Sequence, residues 1–205
     1  MQDVELEAVC RWCDQHGVRL IMDEIYHGLS FDKRAQSALA YSDNAIIINS
    51  FSKYFCMTGW RLGWIVLPDD LVQPAERLAQ NLYISAPTAN QMGAIAVFDC
   101  YDELDAHIPR YKENRDLLYR GLPKIFLGGH APSDGAFYLY ADVSAITNDS
   151  VEFAGRLLAE TGVAITPGVD FDACHGKTHV RLSYAGSTKE IKNAVLRINA
   201  WLAKA

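Results

Sequence analysis

Ala45-Ile46-Ile47-Ile48-Asn49-Ser50-Phe51-Ser52-Lys53 decides the fold class. Four apolar residues without alternation predict a strand buried on both faces, as in a mainly parallel sheet covered by helices. The run then breaks into hydroxyls and a lysine. Upstream, Val18-Arg19-Leu20-Ile21-Met22 predicts a strand ending at Asp23; downstream, Gly63-Trp64-Ile65-Val66-Leu67 predicts another, closed by Pro68. The class is α/β. Asp23 and Ser50 stand where strands end, and open α/β sheets place their ligands at the carboxyl ends of strands.

Helical periodicity surrounds these strands. Asp3 to His16 predicts a helix stopped by Gly17, with Val9, Cys10 and Cys13 on its apolar side. Asp70 to Tyr83 predicts a helix containing Pro74, which is tolerable only near its start. Thr88 to Asp99 predicts a third, and Leu104 to Leu122 a long charged one with Pro109 early in it. Beyond it come a loop at Gly128-Gly129-His130-Ala131-Pro132 and an aromatic strand at Ala136–Ala141. A helix over Val151–Thr161 is capped by Gly162, strands follow at Val163–Thr166 and His179–Ser183, and a last helix starts near Thr188. The change of character puts a soft boundary near residue 100, giving segments 1–100 and 101–205.

The 205 residues are 50% hydrophobic and 21% charged, with a net charge of -6. That is ample for a core and excludes a disordered chain. The negative balance removes the electrostatic reason to expect nucleic acid or an anionic membrane as partner. No apolar run approaches a membrane span, and the acidic start, Met1-Gln2-Asp3-Val4-Glu5, is unlike a signal peptide. Taken alone, these features fit a self-contained cytoplasmic protein. The five cysteines, an odd number, point to reduced thiols. Cys10-x-x-Cys13 shares one helix face and is expected to pack in the core. His175 and His179 lack further ligands, so no metal is expected. Gly176-Lys177-Thr178 resembles the end of a phosphate-binding loop, but Phe171 stands where that motif needs glycine.

The chemistry concentrates after the second strand. Lys53 lies between Ser50, Ser52 and, eight residues on, Arg61, within Thr58-Gly59-Trp60-Arg61-Leu62-Gly63. A lysine amine forms a Schiff base with a carbonyl, and a guanidinium with hydroxyls suits a phosphate. Each residue also has a plainer reading: a surface lysine, an Asp23 that caps a turn, a Ser50 ending a strand, an Arg61 in a surface ion pair. Cys56 reads as filler.

In order and spacing, Asp23-x2-Tyr26, Ser50-x-Ser52-Lys53, Arg61, the Pro167-Gly168 loop and Arg181-Leu182-Ser183-Tyr184-Ala185 resemble the class I/II aminotransferases of fold type I. The resemblance implies the C-terminal part of a mainly parallel α/β large domain over 1–100, and an α+β small domain over 101–205. It implies pyridoxal 5'-phosphate as cofactor. Lys53 would carry the Schiff base and shuttle the proton, and Asp23, as a buried carboxylate, would pair with the ring nitrogen. Tyr26 would donate to the phenolic oxygen, or pack on the sheet. Ser50 and Arg61 would hold the phosphate, with Ser52 a weaker candidate. Arg181 would grip the substrate's α-carboxylate, with a strand-edge arginine as the plainer reading. Tyr138 would border the substrate side chain or pack in the core.

The implied reaction moves an amino group between an amino acid and a 2-oxo acid, in a cytoplasmic homodimer. A complete member would resemble this chain plus a comparable length in front, supplying the glycine-rich phosphate loop and the ring-stacking aromatic residue. Without that length the sheet is expected to have an open edge and an uncovered apolar face, and the chain to bind cofactor poorly. Competing readings are a carbon–sulfur lyase sharing the cofactor, the effector domain of an aminotransferase-like transcription regulator, and a non-catalytic dimerisation fragment.

Overall fold

The computed structural model describes residues 1–127 and 133–204. It separates into two compact units, Met1–Ala106 and His107–Ala205. The loop expected at Gly128–Pro132 lies outside the described residues.

The first unit opens with α1 (Asp3–His16), where the Glu5 carboxylate accepts the Gln2 N–H at 2.7 Å and Gly17 (φ 64°) closes the helix in the left-handed region. Its buried residues are Leu6, Cys10 and Cys13, one helical stripe. Val9 turns out exposed, because it falls off that stripe. Cys10 packs with Ala38, Ala45 and Ile47, so the cysteine pair serves packing, and all five thiols are free.

Three strands follow: β1 (Ile21–Asp23), β2 (Ile46–Ser50) and β3 (Gly63–Val66). β1 runs parallel to β2, Asp23 opposite Ile48, whereas β3 runs antiparallel to β2, Gly63 opposite Ser50. β1 starts three residues later than expected because the Val18 N–H is drawn back to Cys13 O at 2.9 Å, finishing the helix. The expectation of strands buried on both faces fails here. Ile46 and Ile47 are buried, but Ile48 is 40% exposed and β3 is exposed along its whole length. Within this unit Ile48 and Ile65 are left open, while Trp64 meets the Phe51 and Phe55 rings.

α2 (Asp69–Leu82) buries none of its residues and carries Pro74 as its sixth residue. That is deeper than expected; the Asp70 carbonyl, which would have met the missing N–H, lies on an exposed helix where water can serve it. α3 (Thr88–Ala96) tightens into a 3₁₀ turn over Val97–Asp99, and α4 (Tyr101–Asp105) is short.

The second unit begins with α5 (Ile108–Gly121). The single helix expected over 104–122 is broken, because a continuous helix would drive the Pro109 ring against the carbonyl four residues back. Pro109 instead sits in the first turn of α5, where it costs no hydrogen bond. α6 (Lys124–Leu127), β4 (Tyr138–Asp142), α7 (Ser150–Thr161), β5 (Thr166–Pro167), β6 (His179–Ser183) and α8 (Thr188–Leu202) complete it. β6 is the centre of an antiparallel sheet in the order β4-β6-β5. Of the strand expected over 163–166, only Thr166 pairs, opposite Arg181. α7 and α8 are firmly started. Asp149 accepts the Val151 and Glu152 N–H groups, and Ser187 and Glu190 form a reciprocal capping box.

Buried polar groups lock this unit. Asn114 is fully buried and donates to Tyr184 O at 3.0 Å and Gly186 O at 2.9 Å. The Tyr184 hydroxyl pairs with Ser133 Oγ at 2.7 Å, and burial pushes its pKa up to about 12 from 10.0.

Three outcomes follow. Asn114→Ala leaves two carbonyls unpaired, so it is expected to cost about 1–3 kcal/mol in urea unfolding at unchanged m-value. The folded state holds the Tyr184 proton that the unfolded chain releases. Stability is therefore expected to be level below about pH 10 and to fall as pH rises toward 12, with a shallower fall in Tyr184→Phe. Light scattering on the 205-residue chain is expected to show concentration-dependent association through the open sheet faces, reduced by Ile65→Lys.

Candidate active site

The lysine loop is built on the β2–β3 pairing. A side chain at Gly63 would put its Cβ 2.7 Å from Asn49 O, so only glycine lets the returning strand close on β2. Between Ser50 and Gly63 the chain folds on itself. Met57 N–H reaches Phe51 O at 3.0 Å, Cys56 N–H reaches Lys53 O at 3.1 Å, and the Thr58 hydroxyl reaches Ser52 O at 2.6 Å. Phe51 and Met57 are buried with Ala94 beneath the loop, and Phe51 meets Trp64 and Phe55 at 4.9 and 5.2 Å. Cys56, expected as filler, is instead exposed with a left-handed backbone (φ 56°).

This loop gathers four of the candidate residues. Ser52 N–H donates to Ser50 Oγ at 3.0 Å, and Arg61 donates to Thr58 O at 2.9 Å and to Ser52 Oγ at 3.4 Å. Arg61 is exposed, with a left-handed backbone (φ 51°). Lys53 is half-buried, its Nζ 5.7 Å from the centre of the Tyr26 ring. That contact has a cause in the loop after β1. Gly28 (φ 93°) lies against the Tyr54 ring so closely that a Cβ there would stand 2.6 Å from Cδ2. Tyr54 is buried and its hydroxyl donates to Asp105 at 2.6 Å. The residue next to the lysine is thus pinned from both sides. Burial, and then the Asp105 carboxylate, push the Tyr54 pKa well up, so the hydroxyl stays protonated. Glu24, only 3% exposed, secures the far side of this loop by accepting from Ser37 Oγ and Ala38 N–H.

Asp23 ends β1 as Ser50 ends β2, but in the parallel register it faces Ile48, two residues short of Ser50. One oxygen accepts the Ile25 N–H at 3.2 Å. The carboxylate is exposed, not buried as the resemblance implies, because Ile21 and Asp23 share the uncovered face of β1.

Arg181 and Tyr138 belong to the second unit. Arg181 lies mid-strand in β6, and its Cζ stands 4.1 Å from the Tyr138 ring centre and 4.0 Å from that of Phe171. Its Nε is buried and has no acceptor among the described residues. His175 and His179 join no group of three metal-ligating side chains among the described residues.

The donor set suits pyridoxal phosphate. An amine for the carbonyl, two hydroxyls and a guanidinium for the phosphate, and a carboxylate at the strand end all occur in the first unit. The orphaned Arg181 Nε suits an incoming carboxylate. Sequence reasoning missed Gly28, Tyr54, Glu24 and Phe171. Only Gly28 carried a signal, as a glycine two residues past a candidate tyrosine; the others act through long-range contacts that no local pattern shows.

The family described as aminotransferase class I and II matches residues 2–198. The chain is 47% identical over 202 residues to valine–pyruvate aminotransferase of Mycobacterium tuberculosis, covering 97% of this chain and 52% of that protein. It is 34% identical to aspartate aminotransferase of Sulfurisphaera tokodaii, covering 97% of this chain and 52% of that protein. A crystal structure of an aminotransferase from Mycobacterium tuberculosis superposes with a TM-score of 0.94 at 45% identity, covering all of this chain and 54% of that one. The chain spans about half the length of the curated relatives it matches, and its mixed helix-and-sheet fold is the aminotransferase fold over that part.

Gly28→Ala is expected to drive the Tyr54 ring away and strain the left-handed backbone, costing at least about 1 kcal/mol. Fluorescence-monitored unfolding reads the loss, and Tyr54→Phe alone, which keeps the ring, is expected to cost less.

Proposed function

Because the chain belongs to the class I and II aminotransferases, we propose that it forms the C-terminal part of a pyridoxal-phosphate-dependent enzyme that moves an amino group between an amino acid and a 2-oxo acid. The observation that carries this reading is the folded lysine loop, which gathers Ser50, Ser52 and Arg61 beside a Lys53 amine lying near the Tyr26 ring. The first unit is then the end of the large cofactor-binding domain and the second the small domain.

Bound pyridoxal phosphate supplies a carbonyl and an electron sink for breaking a bond at the amino acid's α-carbon. Lys53 Nζ would hold that carbonyl, and its amine, when free, would take and return the substrate's α-proton. Ser50 Oγ, Ser52 Oγ and Arg61 would hold the phosphate, since hydroxyls and a guanidinium donate to its oxygens. Asp23 would pair with the ring nitrogen and hold it protonated. Tyr26 would donate to the phenolic oxygen. Arg181 binds the α-carboxylate edge-on, and Tyr138 backs the guanidinium. We further place the enzyme in the cytoplasm, a compartment that keeps five free thiols reduced, and as a homodimer.

The similarity to the valine–pyruvate enzyme makes valine with pyruvate the first pair to assay. In the full-length protein, Lys53→Ala is expected to remove the visible band of the bound cofactor and lower transfer at least about 100-fold; unchanged turnover would reject Lys53. Arg181→Ala is expected to raise KM for the amino acid about 10- to 100-fold while cofactor affinity holds; equal loss of both would reject the clamp. Release of pyruvate from cysteine conjugates in place of transfer would mark a lyase.

A further inference from the structure

We propose that Phe171 is a positioning residue for the Arg181 guanidinium, and that the loop over 168–178 is built to hold its ring there. This rests on the reading of Arg181 as the carboxylate clamp and adds to it the device that keeps the clamp aimed.

The loop has no slack at its neck. A Cβ on Gly168 would stand 2.6 Å from His179 O and 2.7 Å from Gly176 O, and one on Gly176 would stand 2.5 Å from the Gly168 backbone. Two strands of backbone therefore touch directly, and only glycine permits it at either position. Above the neck, the Phe171 and Asp172 N–H groups both reach Gly168 O at 2.9 Å, and Gly176 N–H reaches Asp172 O at 3.0 Å. The Asp172 side chain accepts the Cys174 and His175 N–H groups at 2.8 and 3.0 Å. Ser150, fully buried at the start of α7, donates to Gly176 O at 2.7 Å and ties the loop to that helix.

The product of all this rigidity is an aromatic ring that packing does not require. Phe171 is 50% exposed, so its burial contributes little to the core. What it covers is Arg181, with Cζ 4.0 Å from the ring centre. Tyr138 presents a second ring at 4.1 Å. In the register, Tyr140 faces Arg181 and Tyr138 lies two residues along on the same side of β4, so Tyr138 reaches the arginine diagonally. Phe171 comes from outside the sheet. A guanidinium between two ring faces is attracted to both and loses the rotamer freedom that an arginine must otherwise surrender on binding. Its remaining way to bind an anion is along the donor edge, where Nε has no partner among the described residues.

The test compares Phe171→Ala, Phe171→Leu, Phe171→Tyr and Arg181→Ala in the full-length protein. Butanoate is titrated against butyramide by calorimetry, and KM and kcat are measured with valine and pyruvate. Phe171→Ala and Phe171→Leu are expected to weaken butanoate binding and raise KM for valine about 3- to 30-fold, with kcat within about twofold. Phe171→Tyr, which keeps the ring face, is expected to restore both, and butyramide is expected to bind no variant measurably better than another. Should Phe171→Ala fold poorly, the leucine and tyrosine variants carry the comparison, since they are similar in bulk and differ in the ring. If Arg181→Ala loses butanoate while Phe171→Leu binds it like the parent, the positioning role is overturned and the clamp stands. If Arg181→Ala itself leaves butanoate binding unchanged, the clamp falls and the positioning role with it.

Discussion

One contact that tolerates no side chain organises the first unit. Gly63 passes so close to Asn49 O that the backbone of β3 can close on β2 only because a hydrogen stands where a Cβ would be. Closing there returns the chain to Ser50, and everything between is forced into a compact loop over Phe51 and Met57. Lys53, Ser52 and Arg61 are near one another for that reason. None of their mutual hydrogen bonds is strong enough to assemble the loop by itself: the arginine–serine contact is 3.4 Å and exposed. The backbone closure comes first, and the polar cluster is its consequence.

The second unit solves the same problem with buried polar groups. Asn114 reaches across to two carbonyls at the exit of β6, and Ser150 reaches from α7 to the 168–178 loop. Each such group is costly if unpaired, so each specifies one arrangement of the elements it joins. The unit thereby fixes the direction of β6, and with it the face from which Arg181 projects.

What was legible in the sequence was mostly local chemistry. Helix ends announced themselves through Gly17 and Gly162, since left-handed caps favour glycine. The lysine loop was legible because its spacing is a property of one short stretch. Pro109 stands in the sequence of the long helix expected over 104–122 and splits it. The exposure of Ile48 and Ile65 was legible only through the resemblance, which implied an uncovered apolar face, because an apolar strand by itself reads as buried whatever stands beside it; that Asp23 shares this open face was not legible. In the sequence, Phe171 marks only the place where a phosphate-loop motif would need glycine. Its contact with Arg181 depends on a backbone touch between Gly168 and Gly176, which no periodicity encodes.

The aromatic cover on Arg181 also separates the two cationic sites in how they meet dissolved salt. Arg61 is exposed, and small ions reach it freely, so its attraction for an anion is screened over about 8–10 Å at physiological ionic strength. Arg181 is half-buried, with two rings about 4 Å from its Cζ and a buried Nε, and screening is weaker for partly buried charges. The two guanidiniums thus differ in how ionic strength screens them, Arg61 more and Arg181 less.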